Sequence, residues 1–371
     1  MASAKSQRMI FFYSFLFFLV VSLAGFVSSG MPNERKGVHA KLVADYIHSV
    51  IEAGRTFYSK QVVERLGKAI SLRATENWVE DNTLPLPAQF LIASSKISNS
   101  TGVGMNYSLM SLWPLNKKNG PKTDFEKSGL RAVVDDPGKP FTWVVQRKGL
   151  WYFQAIYPDR AVTQSCVSCH NSHPQSRKRD YKIGDVMGGI VINIALGRFN
   201  PAQKEDGFLV PPENVADFVH AVIGSDRRVY SRDVVDRLGQ KNIVRATENW
   251  MDNDTLPLPA QFLTNASKLT DKYNLGLGFR LISLWPINKK NRVRNKFEQM
   301  GLESVSIHPI RPYISQVKVG KVLYFKAVYP DLAVEPTCVN CHNKHPQSAK
   351  KDFKLRDVMG GVVVSFPLKG W

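Results

Sequence analysis

All four cysteines of the chain fall in two matching stretches, Cys166-Val167-Ser168-Cys169-His170 and Cys338-Val339-Asn340-Cys341-His342. Each is C-x-x-C-H, the spacing that fixes a c-type haem. Two thiols at this spacing on a tight turn can both reach the vinyl groups on one edge of a porphyrin and become thioethers. The adjacent imidazole then falls beneath the iron as an axial ligand. Two motifs therefore imply two haem c groups, attached through Cys166, Cys169, Cys338 and Cys341, with His170 and His342 on iron. Two other chemistries draw on the same residue types. A zinc site from Cys166, Cys169, His170 and His173 would crowd its ligands into about eight residues, where the usual second half lies a dozen or more away; a four-cysteine site shared between the copies is its variant. A thioredoxin-like redox pair wants a strand before it and a helix after it, and nothing around Cys166 or Cys338 reads that way.

The motifs are the centre of a longer repeat. With Cys166 set on Cys338, residues 43–196 match residues 215–368 without a gap, roughly half the positions being identical, which is a tandem duplication rather than a solenoid. Arg73-Ala-Thr-Glu-Asn-Trp78 recurs as Arg245 to Trp250, Ser111-Leu-Trp-Pro114 as Ser283 to Pro286, and Asp185-Val-Met-Gly-Gly189 as Asp357 to Gly361. The chain divides into an N-terminal segment 1–29, a first domain 38–196, a linker 197–214 rich in Pro, Gly and polar residues, and a second domain 215–371.

Retention in both copies also ranks the candidates for the sixth iron ligand, which separates electron transfer from ligand sensing or catalysis. His48 and His220 lie on the rim of a helical apolar stripe, from which a helix packed over the haem would present them to the iron. The alternative is a helix histidine satisfied by a hydrogen bond. His173 and His345 follow the motif too closely to pass around their own porphyrin, which leaves the other haem, a propionate, or a loop role before Pro174 and Pro346. Met187 and Met359 sit in a strand, where core packing is the common role of methionine. Glu76 with Glu248 is the paired carboxylate to test for acid-base work, against capping or a solvent-facing position.

The elements that position these residues follow from periodicity. Leu42 to Leu66 carries Val43, Ile47, Val50 and Ile51 at helical spacing. Leu84-Pro-Leu-Pro-Ala-Gln-Phe-Leu91 interrupts regular structure before a short helix over 90–97. The second half of each copy alternates and is rich in aromatic and β-branched residues, predicting antiparallel strands over 107–113, 142–145, 151–157 and 186–194, with the cysteine motif in the loop before the last. Helices first and strands after give an α+β domain, with N-terminal helices packed on an antiparallel sheet.

The ends and the charge set the compartment. Lys5 and Arg8 precede an apolar run over residues 9–27 that closes on Ser28, Ser29 and Gly30. That is an export signal cleaved near Ser29, or, since about 20 apolar residues span a bilayer, an inner-membrane anchor. The rest then lies in the periplasm. Fifty Lys plus Arg against 31 Asp plus Glu give +19, which export turns away from nucleic acid. It suits an acidic periplasmic redox protein or an anionic membrane surface, or is simply a solvated basic face.

Together the Pro-x-Asn-x-x-Asn step at Pro114 to Asn119, Phe125-Glu126, Tyr152-Phe153, Cys166 to His170 and Gly188-Gly189, each present again in the second copy, resemble the c-type haem PAS-like domain family. That family occurs in cyanobacterial haem proteins and in periplasmic haem sensor modules. The resemblance implies a PAS-like fold with a five-stranded antiparallel sheet and haem near it. It departs at Asn171 and Asn343, where the family often has Gly. The reading is an exported dihaem c-type cytochrome carrying single electrons, with bis-histidine iron, the alternative being a redox or gas sensor that reports to a separate protein. An enzyme acting on peroxide or a nitrogen oxide would need an open iron.

Overall fold

The spacing of Val43, Ile47, Val50 and Ile51 is realised as the helix Ala40–Phe57, whose inner face is buried. The rod does not stop there. It widens into a π-helical stretch, Tyr58–Glu64, and closes as Arg65–Ala69, so Tyr58, Val62 and Leu66 stay in the core on the same rod. These features belong to a computed structural model that describes residues 37–198 and 208–368; the segment 1–29, read as an export signal or anchor, lies outside the described residues. Among the described residues no helix is long and apolar enough to cross a membrane.

The Pro-rich step starts a helix rather than interrupting one. Pro87 stands at the first helical position, where its missing N–H costs nothing, and Gln89 Oε1 accepts from the Leu86 N–H at 2.9 Å. The helix therefore runs Pro87–Ser100, longer at both ends than the 90–97 expected. A further helix, Asp124–Asp135, was not expected at all. Its signal is a capping box: Thr123 Oγ1 accepts from the Glu126 N–H and Glu126 returns a carboxylate to the Thr123 N–H.

The four expected strands form one antiparallel sheet, in the order Met105–Met110, Val186–Arg198, Leu150–Arg160, Phe141–Arg147. It has four strands among the described residues, not the five implied by the resemblance. The first ends at Met110 rather than Trp113, because the Ser111 N–H turns away to the Asn119 carbonyl. In the second copy the sheet repeats as Gly278–Ile282, Val358–Pro367, Val322–Leu332 and Tyr313–Val319. Each half is thus α+β.

The described residues form one unit, with a core continuous across the halves. The contacts are reciprocal. Arg65 lies over the Trp250 ring at 4.8 Å and donates to the Thr255 carbonyl; Arg237 lies over Trp78 at 4.7 Å and donates to the Thr83 carbonyl. Tyr58 stacks on Phe90 at 4.4 Å and Tyr230 on Phe262 at 4.5 Å. The segment read as a linker, 197–214, enters regular structure at both ends: one strand reaches Arg198, Leu209–Val210 pairs with Val38–His39, and the second long helix begins at Pro212.

Candidate haem site

The cysteine motif sits on a short helix, Gln164–Ser172, and not in a loop. Thr163 starts it by accepting from the Cys166 N–H, a capping preference visible in the sequence but passed over. In the second copy Pro336 takes the first helical position of Pro336–Lys344. Helical spacing puts Cys166, Cys169 and His170 on one face. Val167, about 100° round the helix, faces inward and packs with Ala161, Tyr181 and Met187.

Asn171, the departure from the family pattern, holds this helix in place. Its Nδ2 donates to the Tyr181 carbonyl at 2.9 Å and its Oδ1 accepts from the Tyr181 N–H at 3.0 Å. Asn343 makes the same pair of bonds to Phe353. A glycine could do neither.

Burial sets the electrostatics. It pushes the Cys169 thiol up, with Glu76 adding to the effect, and pushes Cys338 and Cys341 up likewise. Redox-active cysteines need the opposite, a depressed thiol, so the thioredoxin-like chemistry has no support here. Burial lowers the pKa of His170 and of His342, which favours the neutral imidazole that binds metal. The Tyr181 ring meets His170 edge-on at 5.8 Å, Phe353 meets His342 at the same distance, and the Nδ1 of each histidine is buried without a hydrogen-bond partner. Among the described residues no three His, Cys, Asp or Glu side chains are grouped to hold a bare metal ion, so the zinc arrangements are not formed.

The long helix supplies a charged group beside the motif that the sequence reading missed. Arg55, 5 % exposed, pairs with Asp159 at 2.7 Å and with Glu52 at 3.2 Å, and donates to the Arg160 carbonyl. Burial raises the Asp159 pKa to about 6 against the pull of Arg55. Arg227 pairs with Asp331 in the same way, and the fields of these arginines bear on Cys166 and Cys338 respectively. Their identity in both copies was the available signal. In the second copy, Thr337 next to Cys338 donates to Asp236 at the end of the π-helical stretch.

The other candidates separate. His173 and Glu76, picked out independently, meet at 3.5 Å, and His345 meets Glu248 at 3.6 Å; each histidine Nδ1 also accepts the backbone N–H two residues on. Met187 and Met359 pack against Cys166 and Cys338 within the small clusters behind the motif helices. Trp113 joins the first of these clusters and lies under Lys178 at 5.8 Å. His48 and His170 are not in direct contact. The His48 ring stacks on Tyr157 at 4.0 Å and meets Tyr273 of the other half edge-on at 6.1 Å, with Nε2 buried and unpartnered. It lies about 10 Å back along the helix axis from Arg55. His220 stacks on Tyr329 at 3.9 Å. Burial lowers the pKa of both to about 4.

The donor set therefore fits a haem c: two unpaired thiols and a neutral imidazole with an unpartnered buried nitrogen share one helical face, twice. The family model of the Tll0287-like proteins matches residues 36–195 and again 212–367. Among solved structures, that of the cyanobacterial haem protein Tll0287 is similar at 13 % identity and a TM-score of 0.28, over 44 % of this chain and 100 % of that one. No curated protein matches. The chain belongs to the Tll0287-like family, whose domain it carries twice in tandem.

Proposed function

We propose that the chain is an exported c-type cytochrome that binds two haems covalently and passes single electrons between periplasmic redox proteins. The observation that carries this reading is the duplicated donor set, with Cys166, Cys169 and His170 on one helix and Cys338, Cys341 and His342 on its counterpart, each helix packed in a small apolar cluster of its own half. Haem c at each motif would supply a one-electron couple. The chain's own residues hold each motif helix through Asn171 or Asn343 and keep the imidazole neutral by burial. They also set a fixed positive charge, Arg55 or Arg227, near the attachment cysteines. The namesake of the family, Tll0287, is a cyanobacterial haem protein, which supports the cofactor. The apolar run over 9–27 supports export, and the +19 charge supports an acidic partner.

A second reading, a haem-based redox or gas sensor, is favoured by the stacking that holds His48 against Tyr157 and His220 against Tyr329. Carbon monoxide separates the two. A reduced spectrum unchanged by the gas means that both axial positions are filled and supports the electron carrier; shifted bands mean an exchangeable position and support the sensor.

A further inference from the structure

The two halves differ in the space beside the paired histidines. In the first, Tyr273 reaches across to meet His48, and Glu52, one turn further along the helix, is held by Arg55. The matching positions for the second half are Thr101 and Gly224, and a Cβ built on Gly224 meets nothing within 4 Å. A cavity of ≈ 340 Å³ lies there, bordered by Thr101, His220, Gly224 and Arg228, with Leu263 and Val362 on its apolar side. It is not the seat shared by the haems. None of residues 335–345 lines it, and the matching positions of the first half carry Tyr273, against His48, and Glu52, although that half has an intact C-x-x-C-H.

We propose that this cavity binds a small amphipathic monocarboxylate, at one site per chain. The size and the mix of an apolar wall with a few polar groups are those of a small-molecule pocket. Of the two aspartates and two arginines on its border, Arg228 is the group left for a ligand. Asp331 is engaged by Arg227, and Asp217 accepts the Tyr329 hydroxyl at 2.6 Å. Burial keeps His220 neutral. Arg228 is exposed at the rim and makes no ion pair among the described residues; its counterpart in the first half is Thr56. A guanidinium in that position takes a carboxylate through two parallel hydrogen bonds while the apolar tail lies against Leu263 and Val362. Because Arg227 both borders the cavity and acts on Cys338, an occupant would sit beside the second motif alone.

Calorimetric titration of the full haem-loaded chain with benzoate and with hexanoate tests this, with benzyl alcohol as the uncharged control. One site per chain is expected for at least one of the two acids and none for the alcohol. Arg228→Thr, a change at an exposed position, should weaken binding at least about tenfold. Thr101→Tyr and Gly224→Glu, which install the residues of the first half, should abolish it with the thermal melt retained. Opening the first half with Glu52→Gly, Tyr273→Thr and Thr56→Arg together should add a second site. Absence of binding by both acids up to about 10 mM, equal binding of the alcohol, or affinity unchanged in Arg228→Thr and Thr101→Tyr would overturn the proposal.

Discussion

Single residues decide what each motif can do. His170 differs from an ordinary surface histidine in being held neutral by burial, with a nitrogen left unpartnered, next to Cys169, whose thiol burial pushes up. That combination suits ligation of a metal by the imidazole and lacks the depressed thiol of redox-active disulfides. Asn171 is what keeps the helix bearing these groups in register with Tyr181, since both of its amide atoms are used on that one residue's backbone. Asn171→Ala leaves the Tyr181 N–H and C=O without those partners and should cost about 2 kcal/mol in denaturant unfolding. Asn171→Gly, the residue often found in the family, should cost as much or more, because it also loosens the end of the helix.

At the level of elements, the paired glycines after Met187 show why a strand has the composition it has. A Cβ on Gly188 would lie 2.4 Å from the Met110 carbonyl oxygen, and one on Gly360 would lie 2.3 Å from that of Ile282. The backbones approach closely where the first strand leaves the sheet, and Ser111 Oγ then donates to the Met187 carbonyl at 2.6 Å. Gly188→Ala should destabilise by about 1–3 kcal/mol, seen as a lower denaturation midpoint with an unchanged slope. Much of this architecture was legible. The stripe Val43 to Ile51 foretold the long helix because that helix buries one face, and aromatic and β-branched composition foretold the strands, the central ones of which are buried on both faces. What escaped notice was written differently. The π-helical stretch keeps Tyr58 and Val62 inward without a clean 3.6 period, the Asp124–Asp135 helix announces itself by its cap, and the motif helix is too short for any period. The pairing of Glu76 with His173 joins residues far apart in the chain, and only their separate retention in both copies hinted at it.

Across the whole molecule, the halves are related by duplication but not made equal. Asp226 is buried where the halves meet, and it fits because its counterpart in the other half is Gly54: a Cβ there would lie 2.4 Å from Asp226 Oδ2. Burial raises the pKa of Asp226 to about 7, above the ordinary value near 4 that an unfolded chain would show. Between those values the native chain holds a proton the unfolded chain has released, so stability falls as pH rises through roughly pH 4 to 7 and stays reduced above. Asp226→Asn should match the wild type near pH 4 and exceed it at pH 8, by up to roughly 4 kcal/mol in chemical denaturation. A gap that does not widen with pH would mean that Asp226 is ionised in the fold. The same asymmetry, with Glu52 and Tyr273 in one half and Gly224 and Thr101 in the other, leaves the second half open beside its motif.

Whether both motifs carry haem through thioether bonds is measured directly by the haem content of the full chain after denaturation and removal of all unattached porphyrin. Two haems per chain are expected, falling to one when Cys166 and Cys169 are both replaced by Ser, and to one again when Cys338 and Cys341 are replaced instead. A denatured chain that retains no haem, or one whose retained haem is insensitive to either pair of substitutions, would contradict this expectation.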